Sequence, residues 1–152
     1  MAPRTKPQAK KPTAPRAEVP AATAAPRVSE NTLTGIQLRR AVGLKLGYRV
    51  EERRASEMGY RNPPATRHVL VKPDGSEVSN RGNEEEMRAW WEAPAWEMYT
   101  EQALALFEGN AVTLAVGSIS ANGTGEFTAT ADSVSAEGQR PSEALCRLFV
   151  EV

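Results

Sequence analysis

The chain has 152 residues and a mass of 16.5 kDa, enough for one domain with a tail. Its 19 basic and 19 acidic residues balance, and no apolar run approaches the roughly 18 residues that span a bilayer, so we expect no membrane partner. A single cysteine, Cys146, excludes an intramolecular disulfide and a multi-cysteine zinc site, and a single histidine, His68, excludes a multi-histidine metal site.

Residues 1–30 differ in composition from the rest of the chain. They hold six basic residues against two acids and six of the eleven prolines, with no aromatic residue, leucine or isoleucine. Prolines at this density prevent a helix, and no side chain there buries enough area to offset the entropy lost on ordering. We therefore predict a disordered basic arm over residues 1–30 and a single folded domain over residues 31–152. The arm lacks the apolar stretch of a secretory signal, so we expect a cytoplasmic protein.

The folded part begins with a predicted helix over residues 34–46. Its apolar residues recur at helical spacing along one stripe, either Thr32 or Thr34 can cap its start, and Gly47 suits the left-handed position that ends a helix. On this pattern Arg39 and the other basic residues of the helix face away from the core.

Strands are predicted next. Residues 48–54 read as a short strand and residues 56–65 as a loop. Residues 67–72 and 76–79 are predicted to form a hairpin around the turn Pro73-Asp74-Gly75.

Two helices are predicted in the segment that contains all three tryptophans. Asn83-Glu84-Glu85-Glu86 fits a capping box for a short helix that stops at Pro94, and a longer helix is predicted from Trp96 to Glu108. Trp90 and Trp91 are adjacent, so both cannot face inward, and we expect one of them near the surface.

The chain ends with a predicted hairpin and helix. Residues 112–119 and 125–131 flank Asn122-Gly123, and the first strand, apolar on both faces, is expected to be central in a sheet. The last helix begins at Pro141 and carries an ion pair between Glu143 and Arg147. The succession of elements predicts an α+β fold with an antiparallel or mixed sheet.

The order of four segments resembles the phage ABA (α/β/α) sandwich domain family. The resemblance covers residues 33–150, and the segments that carry it are residues 38–48, 72–76, 99–108 and 141–148. It implies a three-layer α/β/α sandwich and a bacteriophage origin, but it implies no activity for any residue.

No set of residues indicates catalytic chemistry, which needs a nucleophile with a base, paired carboxylates or a metal cluster. His68 is typical of a strand histidine and Cys146 of a small buried thiol. Neighbouring acids such as Glu84 and Glu85 diverge by about 100° around a helix. We predict a protein that is not an enzyme, with no catalytic residue, cofactor site or metal site.

Two groups of residues are candidates for binding. The tryptophans either build the core or leave one ring exposed to anchor a partner, and the arginines either form a solvated face or attract an anion. The candidates are Trp90, Trp91, Trp96, Arg39, Arg40, Arg53 and Arg54.

Three functions remain open. The first is a non-enzymatic phage accessory or host-interaction protein that binds a protein or a small anionic ligand. The second is a nucleic-acid-associated protein whose arm contacts phosphates through Lys6, Lys10, Lys11 and Arg16. The third is a minor virion or assembly component.

Overall fold

The structure of the protein is a computed structural model that describes residues 25–54, 66–79 and 81–152. The strands in these residues are β1 (Arg27–Val28), β2 (Arg49–Arg54), β3 (Thr66–Val71), β4 (Thr113–Ile119), β5 (Gly125–Ala131) and β6 (Val134–Gly138). The helices are α1 (Gly35–Leu46), α2 (Glu86–Ala89), a 3-10 helix (Trp90–Glu92), α3 (Thr100–Ala105) and α4 (Pro141–Glu151). Residues 1–24, which make up most of the predicted arm, and the predicted loop 56–65 lie outside the described residues.

The strands form two sheets. The larger has the order β1-β6-β5-β4, with β1 parallel to β6 and the other pairs antiparallel, and the smaller is the antiparallel pair β2-β3. Helices and mixed sheets together confirm the predicted α+β class. The three-layer arrangement that the family resemblance implies stays a prediction.

The core lies between α4 and one face of the larger sheet. Because side chains alternate along a strand, Phe127, Ala129 and Ala131 of β5 point to the same face, and all three are buried. They share one hydrophobic cluster with Leu145 and Leu148 of α4. Helix α1 joins this cluster on its Leu38 and Val42 side, as its apolar stripe predicted, and Gly47 ends it at a φ of 94°.

The larger sheet differs from the sequence prediction at both of its ends. Strand β4 was expected to be central but is an edge strand, and most of its residues are exposed. At the opposite edge, Arg27–Val28 pairs with β6, so the predicted arm is ordered at residues 27–28. Arg27 also forms an ion pair with Glu151 of α4 at 3.1 Å.

Two further expectations change in the middle of the chain. Strand β3 pairs with β2. Beyond the turn at Pro73-Asp74-Gly75 the described residues 76–79 form no strand, although an isolated bridge joins Val71 to Glu77 and the Val78 nitrogen donates to the Leu70 oxygen at 2.9 Å. The helix expected from Trp96 to Glu108 is reduced to α3, which begins at Thr100. The last helix and its Glu143–Arg147 pair, 2.6 Å long, agree with the prediction.

Candidate binding surface

One of the two adjacent tryptophans is buried and the other is exposed, as the sequence predicted. Trp90 is 1% exposed, whereas Trp91 is 54% exposed. Trp90 packs against α1 at Gly43, where a Cβ atom would lie 2.6 Å from Cζ3 of the indole. A residue without a side chain at this point of α1 is therefore what lets the ring enter the core.

Trp96 also belongs to the core. It is 6% exposed, and its ring meets Tyr48 edge-on with 5.6 Å between the ring centroids. Burial removes Trp90 and Trp96 from the candidate binding residues, so Trp91 is the tryptophan that a partner can reach.

Arg39 is buried, contrary to the expectation that it faces solvent. It is 4% exposed, and its guanidinium makes a two-pronged contact with the carboxylate of Glu97, with Nη2 2.6 Å from Oε1 and Nε 3.2 Å from Oε2. The helical pattern failed at this position because a charged residue can point inward when a buried carboxylate meets it.

The Arg39 side chain also fixes the position of Trp91. Its Nη1 donates to the backbone oxygen of Trp91 at 3.1 Å, and its Cζ lies 4.8 Å from the centroid of the Trp91 ring. Its Nη2 contacts Sδ of Met98 at 3.7 Å. Trp91 therefore rests on a buried cation that is itself held by Glu97.

A second hydrogen bond ties this segment to the last helix. The buried hydroxyl of Ser142, in the first turn of α4, donates to the backbone oxygen of Glu97 at 2.7 Å. Contacts from α1 and α4 thus converge on Glu97, and they hold residues 91–98 against the body of the domain.

Further large side chains of the same segment are exposed to solvent. Met98 is 49% exposed, Tyr99 is 56% exposed, and Met87 precedes Trp91 by one helical turn and is also exposed. We call Met87, Trp91, Met98 and Tyr99 the Trp91 surface. An exposed group of tryptophan, tyrosine and methionine side chains has the composition of a protein-binding site.

The other candidate arginines are mostly paired with carboxylates. Arg40 lies 3.8 Å from Glu86, and Arg53 contacts both Glu51 at 2.7 Å and Glu77 at 3.0 Å. A hydrogen bond from Arg49 lowers the pKa of Glu51, which keeps this carboxylate charged beside the arginines.

The remaining basic candidates are Arg54 and four residues of the arm. Arg54 is exposed and forms no ion pair with a described residue, whereas the arm residues Lys6, Lys10, Lys11 and Arg16 lie outside the described residues. The structure therefore neutralises most of the candidate arginines within the described part of the domain.

The single cysteine lies in the core, and the single histidine lies in β3. Cys146 is fully buried, and burial, followed by the charges of Glu97 and Glu143, raises the pKa of its thiol, which disfavours the reactive thiolate. His68 exchanges two backbone hydrogen bonds with Asn83, both 2.7 Å long. Among the described residues, no group of three or more metal-ligating side chains comes together, and no helix is long and apolar enough to cross a bilayer.

Comparison with known proteins identifies no similar protein. No protein-family model matches the chain, and neither a curated protein nor a solved structure is significantly similar to it. The resemblance to the phage ABA sandwich family therefore stays a prediction.

Proposed function

We propose that this protein is a non-enzymatic phage accessory protein that acts in the host cytoplasm by binding another protein through the Trp91 surface. The observation that carries the proposal is that Trp91 is 54% exposed while a buried arginine fixes its ring. An aromatic side chain that is already held in place loses little conformational entropy when a partner covers it.

The same contacts favour a protein partner over a small anionic ligand. A small anion needs a cation with free donors close to the aromatic rings, but Arg39, the arginine that contacts the Trp91 ring, is buried and its donors are engaged by Glu97. What the surface offers is exposed tryptophan, tyrosine and methionine side chains, residue types that are enriched in protein interfaces.

The proposal is tested by comparing partner affinity between two matched variants of the full chain. Trp91→Ala removes the exposed anchor, and Val116→Ala, on β4, removes an apolar side chain that is almost equally exposed at 53%. Proteins retained from a lysate of phage-infected bacteria are identified by quantitative mass spectrometry, and the Kd of each is measured with the purified partner.

We expect Trp91→Ala to raise the Kd for the partner by about 30-fold or more, as truncation of a tryptophan hot spot does. Val116→Ala should change the Kd by less than about twofold. Equal affinities of the wild type and Trp91→Ala would contradict the proposed surface. Turnover of a substrate that disappears on replacing one polar side chain would contradict the non-enzymatic assignment.

A further inference from the structure

We propose that residues 1–24 of the same chain bind the Trp91 surface and cover it until another protein displaces them. This inference rests on the proposed function, because it concerns the same surface. It adds the chemistry that the surface accepts, which is a cationic, proline-rich segment.

The first argument is charge complementarity. Residues 84–108, which contain the aromatic side chains of the Trp91 surface, carry seven glutamates and one arginine. Counting Arg39 and Arg40 of α1, which pair with Glu97 and Glu86, the net charge of this region is −4. Residues 1–24 carry five basic residues and one acid, a net charge of +4. Opposite net charges within one chain attract each other, and the attraction weakens as salt screens it.

Two acidic side chains of this segment are available for pairing. Glu84 and Glu101 are exposed and form no ion pair with a described residue. The one arginine of the segment, Arg88, already lies 3.5 Å from Glu85. Residues 84–108 thus keep exposed carboxylates that a cationic segment can pair with.

The second argument is the match between prolines and exposed aromatic rings. Residues 1–24 contain five prolines, and Pro12 and Pro15 are three residues apart, with Lys10, Lys11 and Arg16 around them. Proline-rich segments bind aromatic-lined surfaces because a bound polyproline II conformation costs them little entropy. Trp91 and Tyr99 provide exposed rings, and the exposed Glu101 follows Tyr99 by two residues in the chain.

The third argument is reach. The described chain begins beside β1, whose Arg27 nitrogen donates to the oxygen of Ser133 at 2.7 Å, so the base of the arm is fixed on the domain. Extended at about 3.1 Å per residue, 24 residues span roughly 75 Å, whereas a domain of this size is about 35–40 Å across. A tether of this kind gives an effective concentration on the order of millimolar, so a weak contact is enough to keep the surface occupied.

The inference is tested on the full chain by NMR of the tryptophan indole N–H groups. The three tryptophans give three signals, and Trp91→Phe assigns the exposed one. The arm variant replaces Lys6, Lys10, Lys11 and Arg16 with glutamine. The control variant instead replaces Lys72, Arg54 and Arg140, which are exposed basic residues of the domain, with glutamine.

We expect the Trp91 signal to shift in the arm variant and to stay in place in the control variant, while the signals of the buried Trp90 and Trp96 do not move. Raising the salt from about 50 mM to about 500 mM is expected to move the wild-type signal toward its position in the arm variant. Identical Trp91 signals in the wild type and the arm variant would overturn the inference. A shift that depends on protein concentration would also overturn it, because the arm would then occupy a second copy.

Failure of this inference and failure of the proposed function give different results. If the Trp91 signal is the same in the wild type and the arm variant while partner binding still requires Trp91, only the inference is contradicted. If the Trp91 signal shifts in the arm variant but no partner depends on Trp91 for binding, only the proposed function is contradicted.

Discussion

Arg39 and Glu97 lie 58 residues apart in the chain and form a buried ion pair with a closest distance of 2.6 Å. Arg39 comes from α1, whereas Glu97 precedes α3 and is hydrogen-bonded by Ser142 of α4. The pair therefore joins three parts of the chain beneath Trp91, whose ring and backbone oxygen are both contacted by Arg39.

Breaking this pair should cost much more stability than breaking an exposed one. Because Glu97→Ala leaves the Arg39 guanidinium buried without its carboxylate, we expect a loss of about 3–5 kcal/mol in the free energy of unfolding. Glu86→Ala, which breaks the exposed pair with Arg40, should cost less than about 1 kcal/mol. Urea denaturation measures both, and losses of similar size would show that the buried pair does not hold the segment.

The contact between Gly43 and Trp90 predicts an unusual response of a helix to alanine. Alanine normally stabilises a helix interior over glycine by about 1 kcal/mol, but here its Cβ would lie 2.6 Å from the indole. Overpacking of this kind costs about 1–3 kcal/mol, so we expect Gly43→Ala to lower the melting temperature. Leu44→Ala, at the exposed next position of α1, serves as the control, with an expected change within about 0.5 kcal/mol. A Gly43→Ala protein more stable than the wild type would contradict this packing.

Burial of Cys146 predicts a loss of stability at alkaline pH. The raised pKa keeps the thiol protonated in the folded protein, whereas the unfolded chain loses this proton above its ordinary pKa of 9.0. The unfolded state then binds fewer protons, so the free energy of unfolding should fall as pH rises above about 9, with a slope of up to about 1.4 kcal/mol per pH unit.

The contribution of Cys146 is isolated by comparing the wild type with Cys146→Ala in urea at about pH 7 and about pH 10.5. Between these two pH values the free energy of unfolding should fall further in the wild type than in Cys146→Ala. If both lose stability in parallel, the thiol ionises as readily in the folded protein as in the unfolded chain.

The sequence predicted the elements whose signals are local. Helices α1 and α4 have a complete apolar stripe, and their limits are fixed by Gly47 and Pro141, so neighbouring residues were enough to place them. Strand β6 was missed because it is built mainly of small and polar residues. Its Ala136 is nevertheless fully buried, because it lies in the same core cluster as Leu145 and Leu148 of α4.

The candidate site could be predicted only in part, for a similar reason. Adjacency alone indicates that Trp90 and Trp91 diverge, but it does not indicate which ring is exposed. That choice depends on Gly43 and Arg39 in a helix about 50 residues earlier in the chain. The partner of Arg39 could not be inferred because nothing in the local pattern separates Glu97 from the other glutamates of residues 84–108.

Hydrogen–deuterium exchange of the full chain, alone and with its purified partner, tests the central claim most directly. The account predicts that the partner slows exchange in the backbone of residues 86–101, around the Trp91 surface. Strands β3 and β4 should keep the exchange rates of the free protein. Slower exchange confined to β2 and β3 or to β4, with residues 86–101 unchanged, would contradict the claim that this protein acts through Trp91.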